Sequence, residues 1–403
     1  MGGSDLHFKT DTGKTYVRVL GDLQTRDEWP TFTPEEFQTA LFSLLRPVQV
    51  KKFEHDLELD FAYELPGVSR FRGNVYQQRG NLQAAFRAIP YVIQSMEELE
   101  LPAACYDFIQ RPRGFVLVTG PAGSGKSTTL AAMIDRLNRT DAVHIMTVED
   151  PVEFVHGDHV ALINQRELET DTNSFANALK HVLRQDPDVI LVGEMRDLET
   201  VHLAITAAET GHLVFATLHT IDAVQTVDRV VDVFPMHQQQ QIRMQMAVNL
   251  LGVVSQTLVK RADGKGRAAA FEVLVATPAI RNMIRENKTY QMNSMIQTGS
   301  RAKMQTLDQA LVTLVKSGLV TRAEAYSKAK DPYEFERLLN VEGGSGGQPP
   351  AAAPPSSAPP SAASAAEAGR PPLATPTAGA VPPAATGPAP VRGQPNRPTF
   401  RRD

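Results

Sequence analysis

The 403-residue chain has a single cysteine, Cys105. It can form no internal disulfide and no cysteine-based zinc site, so a reducing interior is its natural home. It also lacks any apolar run of 18 residues, and the start, Met1-Gly2-Gly3-Ser4-Asp5, has neither a basic nor an apolar leader pattern. The sequence therefore predicts no membrane span and no secretory signal, and any membrane contact is expected to run through a partner. Positive charge is not in excess either, since the net charge is −4. Residues 343–403 supply five arginines against Glu367 and Asp403, or +3, which leaves −7 on the rest. A body of that sign lacks the basic footprint that neutralises a phosphate backbone, so no nucleic-acid partner is expected. Aromatic residues also run out after residue 342. The last 61 residues hold only Phe400, against 15 of the 28 prolines, 15 alanines and 8 glycines. Such a segment cannot bury enough apolar surface to offset the entropy of ordering it, and a disordered Pro/Ala-rich tail is expected over 343–403.

Before that tail the texture changes twice. Over residues 1–100, alternating apolar residues at Tyr16–Leu20 and Leu57–Phe61, a Pro66-Gly67 turn and Phe71–Tyr76 predict strands. Thr33-Pro34-Glu35-Glu36 predicts a capped helix start leading into Phe37, Leu41, Leu44 and Leu45. Together these give a small α+β domain, and its Arg70, Arg72, Arg79 and Arg87 read as a solvated sheet face. From about 101 to 275 short, fully apolar strands alternate with helices: Phe115–Thr119, Val143–Val148, Val189–Val192 and Leu213–Leu218. Continuous apolar runs mean strands covered on both faces, hence a doubly wound α/β domain. Ser255–Lys260 and Arg267–Val275, joined by Asp263-Gly264-Lys265-Gly266, predict an antiparallel hairpin at one edge. Residues 276–342 read as helical.

Gly120-Pro121-Ala122-Gly123-Ser124-Gly125-Lys126-Ser127 matches G-x-x-x-x-G-K-[ST] in full. A chance match in a chain of this length has a probability on the order of 1–2%, and the preceding strand and following helix reduce it further. In that setting backbone N–H groups and the helix N-terminus wrap phosphates, with Lys126 on the β- and γ-phosphates and Ser127 on Mg²⁺. ATP and Mg²⁺ are the expected cofactors. Ligands of open parallel sheets bind beyond the carboxyl ends of the strands. There the sequence places Glu149-Asp150-Pro151-Val152-Glu153, Gly193-Glu194-Met195-Arg196-Asp197 and His219. Glu149, Glu153, Glu194 and His219 are thus the catalytic candidates beside Lys126, and spacing alone does not separate Glu153 from Glu149. Gly193 stands where a Walker B strand ordinarily has an acidic residue. Asp197 fits a helix cap, and Asp186 and Asp188 precede their strand, at the wrong end.

These residues resemble the type IV pilus retraction (twitching motility) ATPases, the PilT family of the secretion-ATPase superfamily, over about residues 3–338. The boxes are Gly120–Thr128, Thr147–Phe154, Asp186–Asp197 and Thr210–Thr220, with Ala279-Ile280-Arg281-Asn282-Met283-Ile284-Arg285-Glu286 similar to a retraction-motor signature. The resemblance implies a RecA-like P-loop ATPase domain with an N-terminal PAS-like α+β domain, assembled as a homohexamer. It implies that Glu153 activates water, that Glu194 holds Mg²⁺, and that Thr128, His212, Arg72 and Arg87 join the nucleotide contacts. It further implies a cytoplasmic motor, peripheral at the inner membrane through a pilus platform protein, with a paralogous pilus ATPase as a further partner. Lys180 stands where relatives commonly carry Arg, so no bidentate finger is expected from that helix. A pilus extension or type II secretion motor, a nucleotide-gated scaffold and a nucleic-acid translocase are the alternatives.

Overall fold

A computed structural model of the chain describes residues 3–19, 22–26, 28–65, 68–89 and 92–341. The expected Pro66-Gly67 turn, Leu20 at the end of a predicted strand, and the Pro/Ala-rich tail lie outside the described residues.

The N-terminal elements are β1 (Gly3–Lys9), β2 (Lys14–Val19), β3 (Asp22–Thr25), α1 (Pro34–Leu44), α2 (Pro47–Asp56), β4 (Glu58–Leu65), β5 (Ser69–Gln78) and β6 (Asn81–Ile89). The strands form one antiparallel sheet in the order β3-β2-β1-β6-β5-β4. Thr33 starts α1 with a full capping box: its hydroxyl accepts the Glu36 N–H, and the Glu36 carboxylate accepts the Thr33 N–H. The helix then lays Phe37 and Leu41 on Phe61, Val75 and Phe86 of the sheet. The apolar period stops at Leu44, which stays at the surface, because the extended C-cap Leu45 turns into the core instead.

After α3 (Ala103–Ile109) come β7 (Gly114–Thr119), α4 (Lys126–Thr140), β8 (His144–Glu149), β9 (Leu162–Glu167), α5 (Phe175–Val182) and β10 (Val189–Val192). They are followed by α6 (Leu198–Glu209), β11 (Leu213–Leu218), α7 (Ala223–Asp232), α8 (Met236–Asn249), β12 (Leu250–Lys260) and β13 (Arg267–Val275). The sheet order is β13-β12-β7-β11-β10-β8-β9, parallel throughout except for the expected β12–β13 hairpin at one edge. Every residue of β7, β10 and β11 is buried, as strands covered on both faces must be. The sequence Leu162-Ile163-Asn164-Gln165-Arg166-Glu167 gives no apolar run, so β9 is visible only once it pairs with β8 at the opposite edge.

The helical end of the chain is α9 (Pro278–Arg285), α10 (Met292–Thr298), α11 (Leu307–Lys316), α12 (Arg322–Tyr326) and α13 (Pro332–Val341). Ile280, Ile284, Met292 and Ile296 join the core on one face of the large sheet. Leu311, Val312 and Phe335 pack instead against Val259 and Ala270 of the edge hairpin. No helix among the described residues is long and apolar enough to cross a membrane.

Candidate active site

β7 ends at Thr119 and α4 begins at Lys126, so the phosphate-loop motif is the turn between a central strand and a helix N-terminus. Gly120, Gly123 and Gly125 have φ of +143°, +75° and +91°, the region that favours glycine. A Cβ at Gly120 would sit 2.3 Å from the Gln256 carbonyl oxygen, and one at Gly125 2.7 Å from Gln256 Nε2. Gln256 is itself fixed by the Thr129 hydroxyl, which donates to its Oε1 at 2.7 Å. Around Gly123, by contrast, the space is open, leaving bare backbone for a ligand to approach. The Ser124 hydroxyl is buried without a hydrogen-bond partner among the described residues, an orphan that a phosphate oxygen would satisfy. Lys126 Nζ donates back to the carbonyls of Gly120 (2.8 Å) and Pro121 (3.2 Å) and lies 3.4 Å from His219 Nδ1. Burial pulls its pKa down, and the facing Glu194 and Glu153 oppose that by favouring the ammonium form.

The neighbouring strand ends deliver the rest. Glu149 closes β8, Glu194 follows β10 and His219 follows β11. Arg196 donates to Glu194 Oε2 at 2.7 Å, and His219 Nε2 lies 3.0 Å from the other oxygen. The Arg196 hydrogen bond is the main reason the Glu194 carboxyl is held below its usual range. Gly193 takes its place for a steric reason, because a Cβ there would lie 3.1 Å from both Glu149 Cα and the Val148 oxygen. The two acidic candidates after β8 differ sharply. Glu149 accepts the Thr147 hydroxyl (2.6 Å), the Gln165 amide (3.2 Å) and the backbone N–H of Glu153. Burial nevertheless pushes its carboxyl up. Glu153 is exposed to the cleft, and its side chain makes no hydrogen bond or ion pair among the described residues.

Facing these groups is the N-terminal sheet. Arg72 on β5 and Arg87 on β6 are direct cross-strand partners, and both line the same cleft of about 1790 Å³ as Lys126, Ser127, Thr128, Glu153 and Glu194. Like charges placed opposite each other repel unless an anion lies between them. Asp5 relieves part of this, accepting from Arg87 Nε at 2.7 Å. Arg79, exposed at the β5–β6 turn, keeps the solvated role read from the sequence.

The expectation for His212 does not hold within one chain. It immediately precedes β11, where its carbonyl accepts the Gly114 N–H at the start of β7. That is the end of the sheet remote from the phosphate loop, roughly 17 Å away at about 3.3 Å per strand residue. Its Nδ1 lies 2.9 Å from the Ala207 carbonyl oxygen. Lys180 is taken up by an ion pair with Glu199. Asp197 caps α6, accepting from the Thr200 N–H and hydroxyl. Sequence reasoning missed Arg196, although it stands two residues beyond Glu194, and it missed the pair Arg70–Glu167, which joins the two sheets.

A family model described as type II/IV secretion system protein matches residues 93–327. A twitching motility protein of Neisseria gonorrhoeae is 52% identical over 315 residues, covering 78% of this chain and 84% of that protein. The type IV pilus retraction ATPase PilT of Pseudomonas aeruginosa is 51% identical over 334 residues, covering 83% of this chain and 96% of that one. The crystal structure of a pilus retraction motor PilT with bound ADP superposes with a TM-score of 0.78 at 46% identity, over 83% of this chain and 96% of that one. With its own phosphate loop, strand-end carboxylates and paired arginines in one cleft, the chain belongs to the type II/IV secretion system proteins and, within them, to the PilT family of pilus retraction ATPases.

Proposed function

We propose that this chain is an ATPase subunit that powers type IV pilus retraction, binding ATP with Mg²⁺ in the cleft between its two sheets. The observation that carries the reading is a single cleft in which the glycine-lined loop and Lys126 face Glu153 and Glu194 under Arg72 and Arg87. The loop N–H groups and the Ser124 hydroxyl receive the phosphates, and Lys126 exchanges the carbonyls of Gly120 and Pro121 for phosphate oxygens. Ser127 and Glu194 supply the hydroxyl and carboxylate suited to Mg²⁺, which when bound neutralises charge developing on the transferred phosphoryl group. Glu153 has free lone pairs and orients the attacking water, while Glu149, already taken up by three donors, fixes the segment that carries it. His219, between Lys126 and Glu194, senses what occupies the end of the loop. Arg72 and Arg87 add positive charge as the N-terminal sheet closes, so ATP binding and release become a movement of that sheet. Six copies in a ring at the cytoplasmic face of the inner membrane, acting on a platform protein, would turn this movement into withdrawal of pilin.

Phosphate release by the purified chain and by Lys126→Ala, together with pilus retraction in cells carrying each, tests the reading. Turnover and retraction are both expected to vanish in the variant. Near-normal hydrolysis by Lys126→Ala would overturn the site. A deletion strain that retracts pili but cannot assemble them would make this an extension motor, and ATP binding without phosphate release would make it a scaffold.

A further inference from the structure

We propose that Arg70 and Glu167 form a clasp that makes the position of Glu153, and hence the rate of hydrolysis, depend on where the N-terminal sheet sits. The proposal rests on the assignment of Glu153 to water activation. Arg70 leaves β5 of the N-terminal sheet, and Glu167 is the last residue of β9 at the edge of the ATPase sheet. Their ion pair, Nη2 to Oε2, is 2.5 Å long, with the two side chains only 19% and 7% exposed.

The same Glu167 Oε2 accepts the backbone N–H of Val152 at 3.2 Å. The Val152 side chain is buried, and the next residue is Glu153, whose own N–H is held by the Glu149 carboxylate. The segment carrying the cleft-facing carboxylate therefore hangs between two acceptors, the half-buried Glu149 and the buried Glu167. Glu149 belongs wholly to the ATPase sheet, whereas Glu167 shares its oxygen with the other sheet. Glu167 is otherwise rigid: its N–H donates to Asp171 Oδ2 and its carbonyl accepts the Asp171 N–H, both at 2.8 Å.

Two further contacts reach the same loop from the N-terminal helices. Lys52 pairs with Glu169 at 2.5 Å, and Arg46 donates to the Thr170 hydroxyl at 3.4 Å. Both are exposed, so solvent and salt weaken them. The buried pair is different, because withdrawing Arg70 leaves a carboxylate out of water without its counter-charge, and the loop must rearrange to rehydrate it. Any such rearrangement releases the Val152 N–H and moves Glu153. Arg70 is thus a positioning residue acting through Glu167, separate from Arg72 and Arg87, which face the cleft directly. Its Nε is buried without a hydrogen-bond partner among the described residues, so the guanidinium is held by part of its donor set only, as suits a contact that has to open.

The test is a double-mutant cycle in the full-length chain with Arg70→Ala, Glu167→Gln and both together. The readouts are kcat for ATP and the affinity for a fluorescent, non-hydrolysable ATP analogue. Glu167→Gln keeps an oxygen for the Val152 N–H, removes the charge, and turns the other oxygen, which accepts the Thr170 hydroxyl, into an amide donor. Arg70→Ala is expected to lose at least about tenfold in kcat with affinity changed by less than about threefold, Glu167→Gln to lose less because its neutral amide needs no counter-charge and keeps the Val152 N–H, and the double variant to be no slower than Arg70→Ala. If Arg70→Ala does not fold, Arg70→Gln replaces it in the same cycle. With wild-type turnover present, Lys126→Ala inactive and Glu153→Gln slowed at least ~10²-fold, the nucleotide site and the role of Glu153 stand whatever the cycle gives. Against that background, wild-type kcat in Arg70→Ala, losses that multiply in the double, or losses matched by weaker analogue binding would overturn the clasp alone.

Discussion

Glu149 and Glu153 stand four residues apart and differ in what already occupies their oxygens. Three donors converge on Glu149, and none reaches Glu153 among the described residues. Glu153→Gln is therefore expected to lose at least ~10²-fold in turnover while still binding nucleotide and melting as the wild type does. Glu149→Gln removes an acceptor that its donors need, so it should lower the melting temperature along with the rate. Paired measurements of turnover and melting decide this, and a Glu153→Gln enzyme at full rate would reverse the two roles. Spacing in the sequence could not separate the pair, because both follow the same strand. Arg281 teaches the same lesson. It lies on the polar side of Ile280 and Ile284 in the stretch similar to a retraction-motor signature, and it donates to the carbonyls of Ala276, Ala247 and Val248, capping the end of α8.

At the scale of elements, legibility follows from how local the cause is. The capping box at Thr33 and the apolar strands β7, β10 and β11 are written in adjacent residues, and they appear where the sequence puts them. By contrast β9 is polar and at an edge, and β1, β3, β6 and α2 lack a clear period, so they are fixed by partners distant in sequence. The eight-residue α9 is too short to be stable alone. It persists because Ile280 and Ile284 are fully buried against the large sheet and Thr277 caps its start. Ile284→Ala should accordingly cost about 2–5 kcal/mol, measured by denaturant unfolding. A loss much below that range would mean that the helix is held by its polar contacts instead.

For the whole molecule, acid stability offers a readout independent of catalysis. Burial pushes the His156 imidazole from 6.5 down to about 4, with Asp135 nearby opposing that shift. Its Nδ1 is buried without a hydrogen-bond partner among the described residues. The unfolded chain binds the proton more readily, so the stability tied to His156 is complete above pH 6.5 and is lost as the pH falls toward 4. The gap corresponds to at most roughly 3–4 kcal/mol. Replacing His156 with Gln should flatten the fall in melting temperature across that window, and an unchanged slope would remove His156 as its source.

Taken alone, the sequence determined the chemistry that adjacent residues specify: a strand, a glycine-rich loop and a helix in unbroken succession, the acidic residues that close the parallel strands, and a C-terminal segment poor in aromatics. Such features are local, each encoded in one continuous stretch of chain. Tertiary structure alone decided that Arg70 locks into the wall of the cleft and that Glu167, in a strand without an apolar signature, ties both sheets to the segment bearing Glu153. Charge carries no periodicity that shows its partner. Arg70 and Glu167 are 97 residues apart, and only folding brings them within hydrogen-bonding distance and out of water, where their pairing has consequences.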